Sequence, residues 1–288
     1  RYKEAFTVRH CALSLVGEPI MYPQINEFLS LLHSKNISSF LVTNAQFPER
    51  VKHLNPCTQL YVSIDAATKD TLKAVDRPLF KDFWERFVAS LKAMKSKKST
   101  RTVYRLTLVK AWNMGDVTAY CKLLSLGLPL LIEIKAVTFC GDSKASSLTI
   151  KNTPYHHEVC KFGESICKRF DEMYPDSEIR YELACEHEHS NCILLADTRL
   201  KVKGQWHTWI DYDKFHQLES EWKESGKEFT AFDYMAPTPT WGVYGAAEKG
   251  FDPEEKRVRK KGKKAKALRE KEKKERELAA TQANQVAQ

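Results

Sequence analysis

Gly17, Glu18 and Pro19 follow directly on the mostly apolar run 11–16, and this is where the chain first offers chemistry. A glycine at the carboxyl end of a parallel strand lets a ligand approach the backbone, and a carboxylate beside it suits an ammonium group. Pro19 then ends the ladder and Pro23 is placed to start a helix. The same residues also suit an ordinary strand-to-helix turn. Asn44, Ser63, Asp65, Asn113 and Thr138 likewise stand at or just past the ends of apolar runs, where each is either a ligand contact or a cap on local backbone. Lys110 and Lys135 occupy similar positions. A lysine whose pKa is lowered by burial forms Schiff bases with carbonyl compounds, whereas an ordinary one reaches solvent or pairs with an acid.

One other stretch carries ligand chemistry, Cys185-Glu-His-Glu-His-Ser-Asn-Cys192. Alternate residues of a strand share a face, so Cys185, His187 and His189 would converge with Cys192 on zinc if the strand runs that far. That reading makes the chain a zinc-stabilised RNA-binding module or a metal-dependent hydrolase; the alternative is a polar strand turn with buried thiols. The other cysteines form neither a disulfide-dense scaffold nor paired Cys-x-x-Cys knuckles.

The elements that must position these residues alternate. Strands are expected at 11–17, 39–44, 60–65, 102–110 and 130–137, separated by helices at 20–36, 48–54, 80–94 and 117–126. Serial strand–helix units force right-handed crossovers and a parallel sheet, with polar residues gathered at the strand carboxyl ends. No Gly-x-Gly-x-x-Gly and no Gly-Lys-Ser/Thr loop occurs, which disfavours dinucleotide and nucleoside-triphosphate sites and favours a partial or full (β/α) barrel. A long helix at 155–174 follows, then short strands at 179–184, 192–196, 200–203 and 206–210, a helix at 211–225, and an irregular aromatic segment at 232–241. The expected organisation is a partial barrel at 1–150, the rest of the barrel with an α+β extension at 151–230, the aromatic segment at 231–253, and a charged, helical or disordered tail at 254–288.

The 288 residues are 42% hydrophobic, enough for a sizeable core. No apolar run approaches membrane-spanning length and no signal peptide is apparent, so an intracellular, cytoplasmic protein with no membrane partner is expected. Of the net charge of +9, residues 251–288 contribute +6, a run able to attract RNA phosphates or simply to form a solvated end.

Taken together, Ser14-Leu-Val-Gly-Glu-Pro-Ile-Met-Tyr-Pro23, Phe40-Leu-Val-Thr-Asn-Ala-Gln46, Asp76-Arg-Pro-Leu-Phe-Lys-Asp-Phe83, Leu106-Thr-Leu-Val-Lys-Ala-Trp-Asn113, Cys185 to Cys192, Asp233-Tyr-Met-Ala, Trp241 and Gly250-Phe-Asp-Pro253 resemble the radical S-adenosylmethionine superfamily. Within it, the likeness over residues 1–253 is to the enzymes that form 4-demethylwyosine in tRNA. The resemblance implies a lyase-type carbon–carbon bond-forming reaction of wybutosine biosynthesis. A 4Fe-4S cluster cleaves S-adenosylmethionine to a 5′-deoxyadenosyl radical, and a two-carbon unit from pyruvate joins N1-methylguanosine in a phenylalanine-type tRNA. An electron donor is implied, as is FMN if a flavodoxin-like domain precedes the barrel.

Carried over residue by residue, the resemblance assigns Gly17 and Glu18 to the methionyl ammonium. Asn44, Ser63 and Asp65 fall to the methionyl and ribose groups, and Asn113 and Thr138 to the ribose and adenine. Neither Lys110 nor Lys135 inherits the family's pyruvate lysine. The chain departs from the family in lacking Cys-x-x-x-Cys-x-x-Cys, so the cluster loop is expected upstream of Arg1 and the chain alone is expected to be inactive. For tRNA, Tyr234, Trp241 and Tyr244 offer stacking surfaces, and Arg77, Lys81 and the 256–276 cluster offer charge; alternatively, Tyr234 and Trp241 pin the carboxyl segment to the barrel.

Overall fold

The computed structural model describes residues 2–14, 17–141 and 147–255. Residues 1–251 make one compact unit; residues 252–288 make a second, in which the described part, 252–255, is a turn. Five strands run parallel in chain order, β1 (His10–Leu13), β2 (Ser38–Thr43), β3 (Gln59–Ser63), β4 (Arg101–Leu108) and β5 (Leu131–Ala136). Two antiparallel strands, β6 (Tyr181–His187) and β7 (Cys192–Asp197), extend the sheet in the order β1-β2-β3-β4-β5-β7-β6. The order leaves β1 and β6 as two edges, so among the described residues the sheet is an open, partial barrel. Helices α1 (Ile25–His33), α2 (Pro48–Lys52), α3 (Lys69–Asp76), α4 (Phe83–Met94) and α5 (Val117–Gly127) form the crossovers; α6 (His156–Met173) connects β5 to β6, and α7 (Tyr212–Ser225) follows the small strands β8 (Lys201–Val202), β9 (Gln205–Trp206) and β10 (Trp209–Ile210).

Period-two alternation sorts the sheet into two faces with different jobs. Leu41, Leu60, Val62, Tyr104, Leu106, Ile132, Ile134, Ile193 and Leu195 pack against the helices, meeting Leu29, Phe87, Leu91, Leu124, Ile166 and Phe170. The intervening residues face the other way. Near the amino ends of the parallel strands, Val103 and Leu131, with Ala196 of antiparallel β7 beside them, are sealed by Trp206, Phe215, Leu218, Phe229 and Tyr234. Further along the same strands, the row Ser63, Arg105 and Glu133 lies in direct register, and Thr107 lies opposite Lys135. The concave face is thus apolar and plugged at one end, and polar at the carboxyl end.

Several elements depart from expectation. The first strand stops at Leu13 and alternates between exposed and half-buried, because among the described residues it is a sheet edge paired with β2 alone. Proline breaks the helix expected at 20–36, leaving a 3-10 turn at Pro19–Met21 and then α1. Helix α3 has no counterpart in the sequence reading; it buries Leu72 alone and is started by Thr68, whose hydroxyl accepts from the Thr71 amide. The strand expected at 206–210 divides, β9 pairing with β8, and β10 with β11 (Met235–Ala236). The tail from 256 lies outside the described residues.

Candidate functional site

Glu18 leaves β1 in extended conformation and is fixed from behind by Ile20, which is fully buried in the 3-10 turn that follows. Its Oε2 accepts the Asn44 amide at 2.8 Å, while Oε1 is buried without a hydrogen-bond partner. Burial pushes the carboxyl pKa up, and hydrogen bonds from the Asn44 amide, the Thr43 hydroxyl and the Ile20 amide pull it partway back. A buried carboxylate with one oxygen anchored and the other unmatched is half of a charge-assisted contact. Gly17 beside it adopts a φ of +93°, in the left-handed region where a side chain would be strained.

The turn after β2 is held just as firmly. The Ala45 amide bonds Thr43 Oγ1, Ser90 Oγ donates to the Ala45 carbonyl at 2.7 Å, and Ala45 itself takes a φ of +62°. Strain of this kind persists only where neighbours over-determine the turn, and here it keeps the Asn44 amide aimed at Glu18.

Gly17, Glu18, Asn44, Ser63 and Asp65 line one cavity of about 610 Å³, the five together at the carboxyl ends of β1, β2 and β3. Its remaining wall is largely apolar, from Met21, Phe47, Leu72, Pro78, Leu79 and Phe80. The size and the mixture of a few polar groups on apolar walls suit a nucleoside-sized ligand. Asp65 has its pKa raised by burial, against the opposing pull of Arg105 and a hydrogen bond with Thr107. Asp76, at the rim, is pushed up to about 7 by burial of its carboxyl and the charge of Asp65.

The two weaker candidates go elsewhere. Asn113 does not line this cavity: its Nδ2 donates to the carbonyls of Asp65 and Thr107, each at 2.8 Å, and its Oδ1 accepts the Val109 amide at 2.7 Å. With its amide committed to backbone, it is a clamp that fixes the loop carrying Asp65. Thr138 lines a second cavity of about 620 Å³, with Glu133, Lys135, His187, His189 and Cys192. Sequence reasoning missed Met21, Phe47, Leu72 and Asp76. The last two come from α3, and their signal was the Thr68 cap rather than any apolar stripe.

The zinc reading of residues 185–192 is overturned. The strand ends at His187 and a 3-10 turn at Glu188–Ser190 takes His189 off it, Cys185 Sγ bonds Thr208 Oγ1, and His187 bonds Ser190 and packs on the Phe251 ring. Among the described residues, Cys185, His187, His189 and Cys192 do not form a metal-ligand cluster. Lys110 pairs with Glu158 at 2.7 Å and lies over the Tyr155 ring, as an ordinary surface lysine would.

The expected base-stacking role of Tyr234 is overturned as well. Tyr234 is fully buried, and its hydroxyl lies 3.1 Å from the Thr58 carbonyl and 3.3 Å from that of Ser99, and accepts the Arg101 amide at 3.0 Å. Trp241 is half-buried, edge-on to Trp209 with ring centroids 5.9 Å apart. Arg77 lines the Glu18 cavity after a left-handed turn that ends α3, and Lys81 is exposed nearby.

Residues 1–124 match the family described as the Radical SAM superfamily, and residues 126–197 match Wyosine base formation. Over 265 residues the chain is 60% identical to an S-adenosyl-L-methionine-dependent tRNA 4-demethylwyosine synthase of Danio rerio and 58% identical to that of Homo sapiens, in each case across 91% of this chain and 35% of the relative. The chain therefore spans about a third of the length of these relatives. Among solved structures, one titled "Structure of TYW1 with a lysine-pyruvate adduct bound" superposes with a TM-score of 0.58 at 28% identity, covering 70% of this chain and 61% of that one. A second, an archaeal protein of the same name, gives 0.52 at 26%, covering 70% and 62%. With a mostly parallel sheet, a carboxylate-bearing cavity at its strand ends and these matches across both halves, the chain belongs to the radical S-adenosylmethionine superfamily, and within it is similar to the tRNA 4-demethylwyosine synthases.

Proposed function

We propose that the cavity at the ends of β1, β2 and β3 binds S-adenosylmethionine for a 4-demethylwyosine synthase reaction, in which a two-carbon unit from pyruvate is joined to N1-methylguanosine in tRNA. The observation that carries this reading is Glu18: its Oε1 is buried, unpartnered and at the wall of a cavity of about 610 Å³. In this superfamily S-adenosylmethionine, when bound, supplies a 5′-deoxyadenosyl radical.

Each residue has a task the geometry suits. Glu18 receives the methionyl ammonium, with Gly17 leaving room for the ligand against the backbone. Ser63 and Asp65 offer polar groups for the methionyl and ribose portions, and the Asn113 clamp holds Asp65 in place. Met21, Phe47, Leu72 and Phe80 exclude water from the less polar wall. The tRNA backbone finds cations in Arg77, which lines the cavity, and in the exposed Lys81 that follows it in the chain.

A 4Fe-4S cluster, which the family implies, does not fit the cysteines of this chain. None of the eight occurs in a Cys-x-x-x-Cys-x-x-Cys loop, and no group of cysteine sulfurs converges among the described residues. The electron donor, and FMN as its carrier, belong to the same proposal and have no site assigned here.

Calorimetric titration of S-adenosylmethionine into the protein and its Glu18→Gln variant tests the reading. A hydrogen bond between charged groups is worth about 1.5–3 kcal/mol, so the substitution should raise Kd roughly 10- to 150-fold without changing the circular dichroism spectrum. Equal affinity in the two proteins would remove Glu18 from the ammonium site.

A further inference from the structure

Outside the cavity just described, His156, Cys160 and Glu186 bring three ligand atoms of different chemistry to within 4.8 Å of one another. His156 and Cys160 stand one helical turn apart on the first turns of α6, and so share a face. Glu186 reaches them from β6. His156 Nε2 lies 2.7 Å from Glu186 Oε2 and 3.5 Å from Cys160 Sγ, and the three groups are all largely shielded from solvent.

The convergence falls on a single atom. An imidazole Nε2 has one proton or one lone pair to offer, and here a carboxylate and a thiol both crowd it. The other ring nitrogen, Nδ1, is buried with no hydrogen-bond partner, so the cluster is not a saturated polar network. Zinc bonds of about 2.0–2.3 Å place neighbouring ligands of a tetrahedron roughly 3.3–3.7 Å apart. The nitrogen–sulfur separation already meets that spacing, and the carboxylate oxygen reaches it by withdrawing about half an ångström.

Glu186 is oriented by a backbone contact. Its Oε1 accepts the Gly245 amide at 2.8 Å, which leaves Oε2 to face the histidine. The Tyr244 hydroxyl borders the Cys160 thiol and is partly open to solvent, giving the fourth side of the site a polar, reachable edge. The same segment is tied to β6 by the Tyr244 amide to the Ala184 carbonyl at 2.9 Å and the Glu188 amide to the Lys249 carbonyl at 3.1 Å.

We propose that His156, Cys160 and Glu186 bind a borderline-soft divalent cation, zinc or a zinc-like ion, which clasps the start of α6 to β6 beneath the 243–250 segment. One imidazole, one thiolate and one carboxylate select such an ion over magnesium or calcium, which take oxygen ligands alone. Binding deprotonates the Cys160 thiol and releases that proton to solvent, with no change of oxidation state. The site stands apart from the Glu18 cavity and does not depend on the function assigned to it.

The test loads the iron-free protein with Co²⁺ under anaerobic conditions and then with Zn²⁺. One equivalent of cobalt should bind in a tetrahedral field with a thiolate-to-cobalt charge-transfer band. That band should disappear in Cys160→Ser, and affinity should fall at least tenfold in His156→Ala and Glu186→Gln. X-ray absorption on the zinc-loaded wild-type protein needs no variant, and should count one sulfur among nitrogen and oxygen ligands. No stoichiometric binding, a band that survives in Cys160→Ser, or a zinc shell with no sulfur or with two or more would overturn the assignment.

Discussion

Tyr234→Phe separates the two roles open to the aromatic carboxyl segment, because it removes one oxygen and leaves the ring. That oxygen accepts the Arg101 amide at 3.0 Å and lies 3.1 Å from the Thr58 carbonyl, both in a region closed to water. Phenylalanine fills the same space without a cavity, so the cost is that of two buried backbone groups losing their partner. An unsatisfied buried group costs about 1–3 kcal/mol, and the Thr58 carbonyl keeps a second lone pair that tolerates the loss better. The expected destabilisation is therefore about 2–4 kcal/mol, read as a lower urea midpoint at unchanged m-value. Arg101 amplifies the effect: its side chain is almost wholly buried, and its guanidinium donates to the carbonyls of Thr208 and Trp209, so loosening its backbone disturbs the floor under β10. Affinity for tRNA, measured well below the unfolding midpoint, should not change. A variant as stable as the parent that binds tRNA more weakly would refute the structural assignment and return Tyr234 to the RNA surface.

Three further outcomes follow from the same geometry. Because burial raises the Glu18 pKa, the carboxylate needed for an ammonium is lost on acidification sooner than an ordinary glutamate would be; S-adenosylmethionine affinity should fall as pH drops from above the usual carboxylate range, and Glu18→Gln should flatten that profile in calorimetry. Asp76 sits at about 7 in the fold against 3.8 when unfolded, so its ionisation costs stability that is intact below pH 3.8 and is lost as pH rises to about 7. Asp76→Asn should accordingly stabilise the fold at pH 8 and not at pH 4, by about 1 kcal/mol once solvent at the exposed rim is allowed for, read as a higher thermal midpoint at pH 8 alone; an equal gain at both pH values would count against the cause given. Gly127→Ala would place a methyl 2.7 Å from the Leu91 carbonyl and against the Tyr104 hydroxyl, and overpacking of this kind costs about 1–3 kcal/mol in a urea titration; no loss would mean that α4 and α5 separate freely.

What the sequence disclosed depended on how much of an element's pattern is local. Strands β2 to β5 each carry an apolar face, and β2 and β3 end in Thr43 and Ser63, so their positions and the polarity at the carboxyl ends of β2 and β3 are legible in the sequence. The apolar run 11–16 suits a buried strand, yet among the described residues β1 lies at the sheet edge, a property of topology that no residue in it encodes. α3 is hard to see for the opposite reason: it is eight residues long and buries Leu72 alone, so its apolar stripe is too short to stand out even though Leu72 and Asp76 wall the cavity.

The same distinction explains the site. Glu18, Asn44, Ser63 and Asp65 were legible together because all four follow strands that are consecutive in chain and in space, so linear order and spatial order coincide there. Cys185 to Cys192 suggested a metal site for a comparable reason, since ligands close in sequence were taken to be close in space. The end of the strand at His187 breaks that link, and the convergence that exists joins Glu186 to residues of a helix 26 to 30 positions earlier. Tyr234 is the extreme case: its hydroxyl meets residues 133 to 176 positions away, so composition could mark it as aromatic and polar but could not say whether the polar tip faced nucleic acid or backbone. The plug it belongs to closes the concave face where Val103 and Leu131 begin it. What remains on that face is the polar row from Ser63 to Lys135, and Ser63 is shared between that row and the cavity at Glu18, so row and cavity lie on the same carboxyl side.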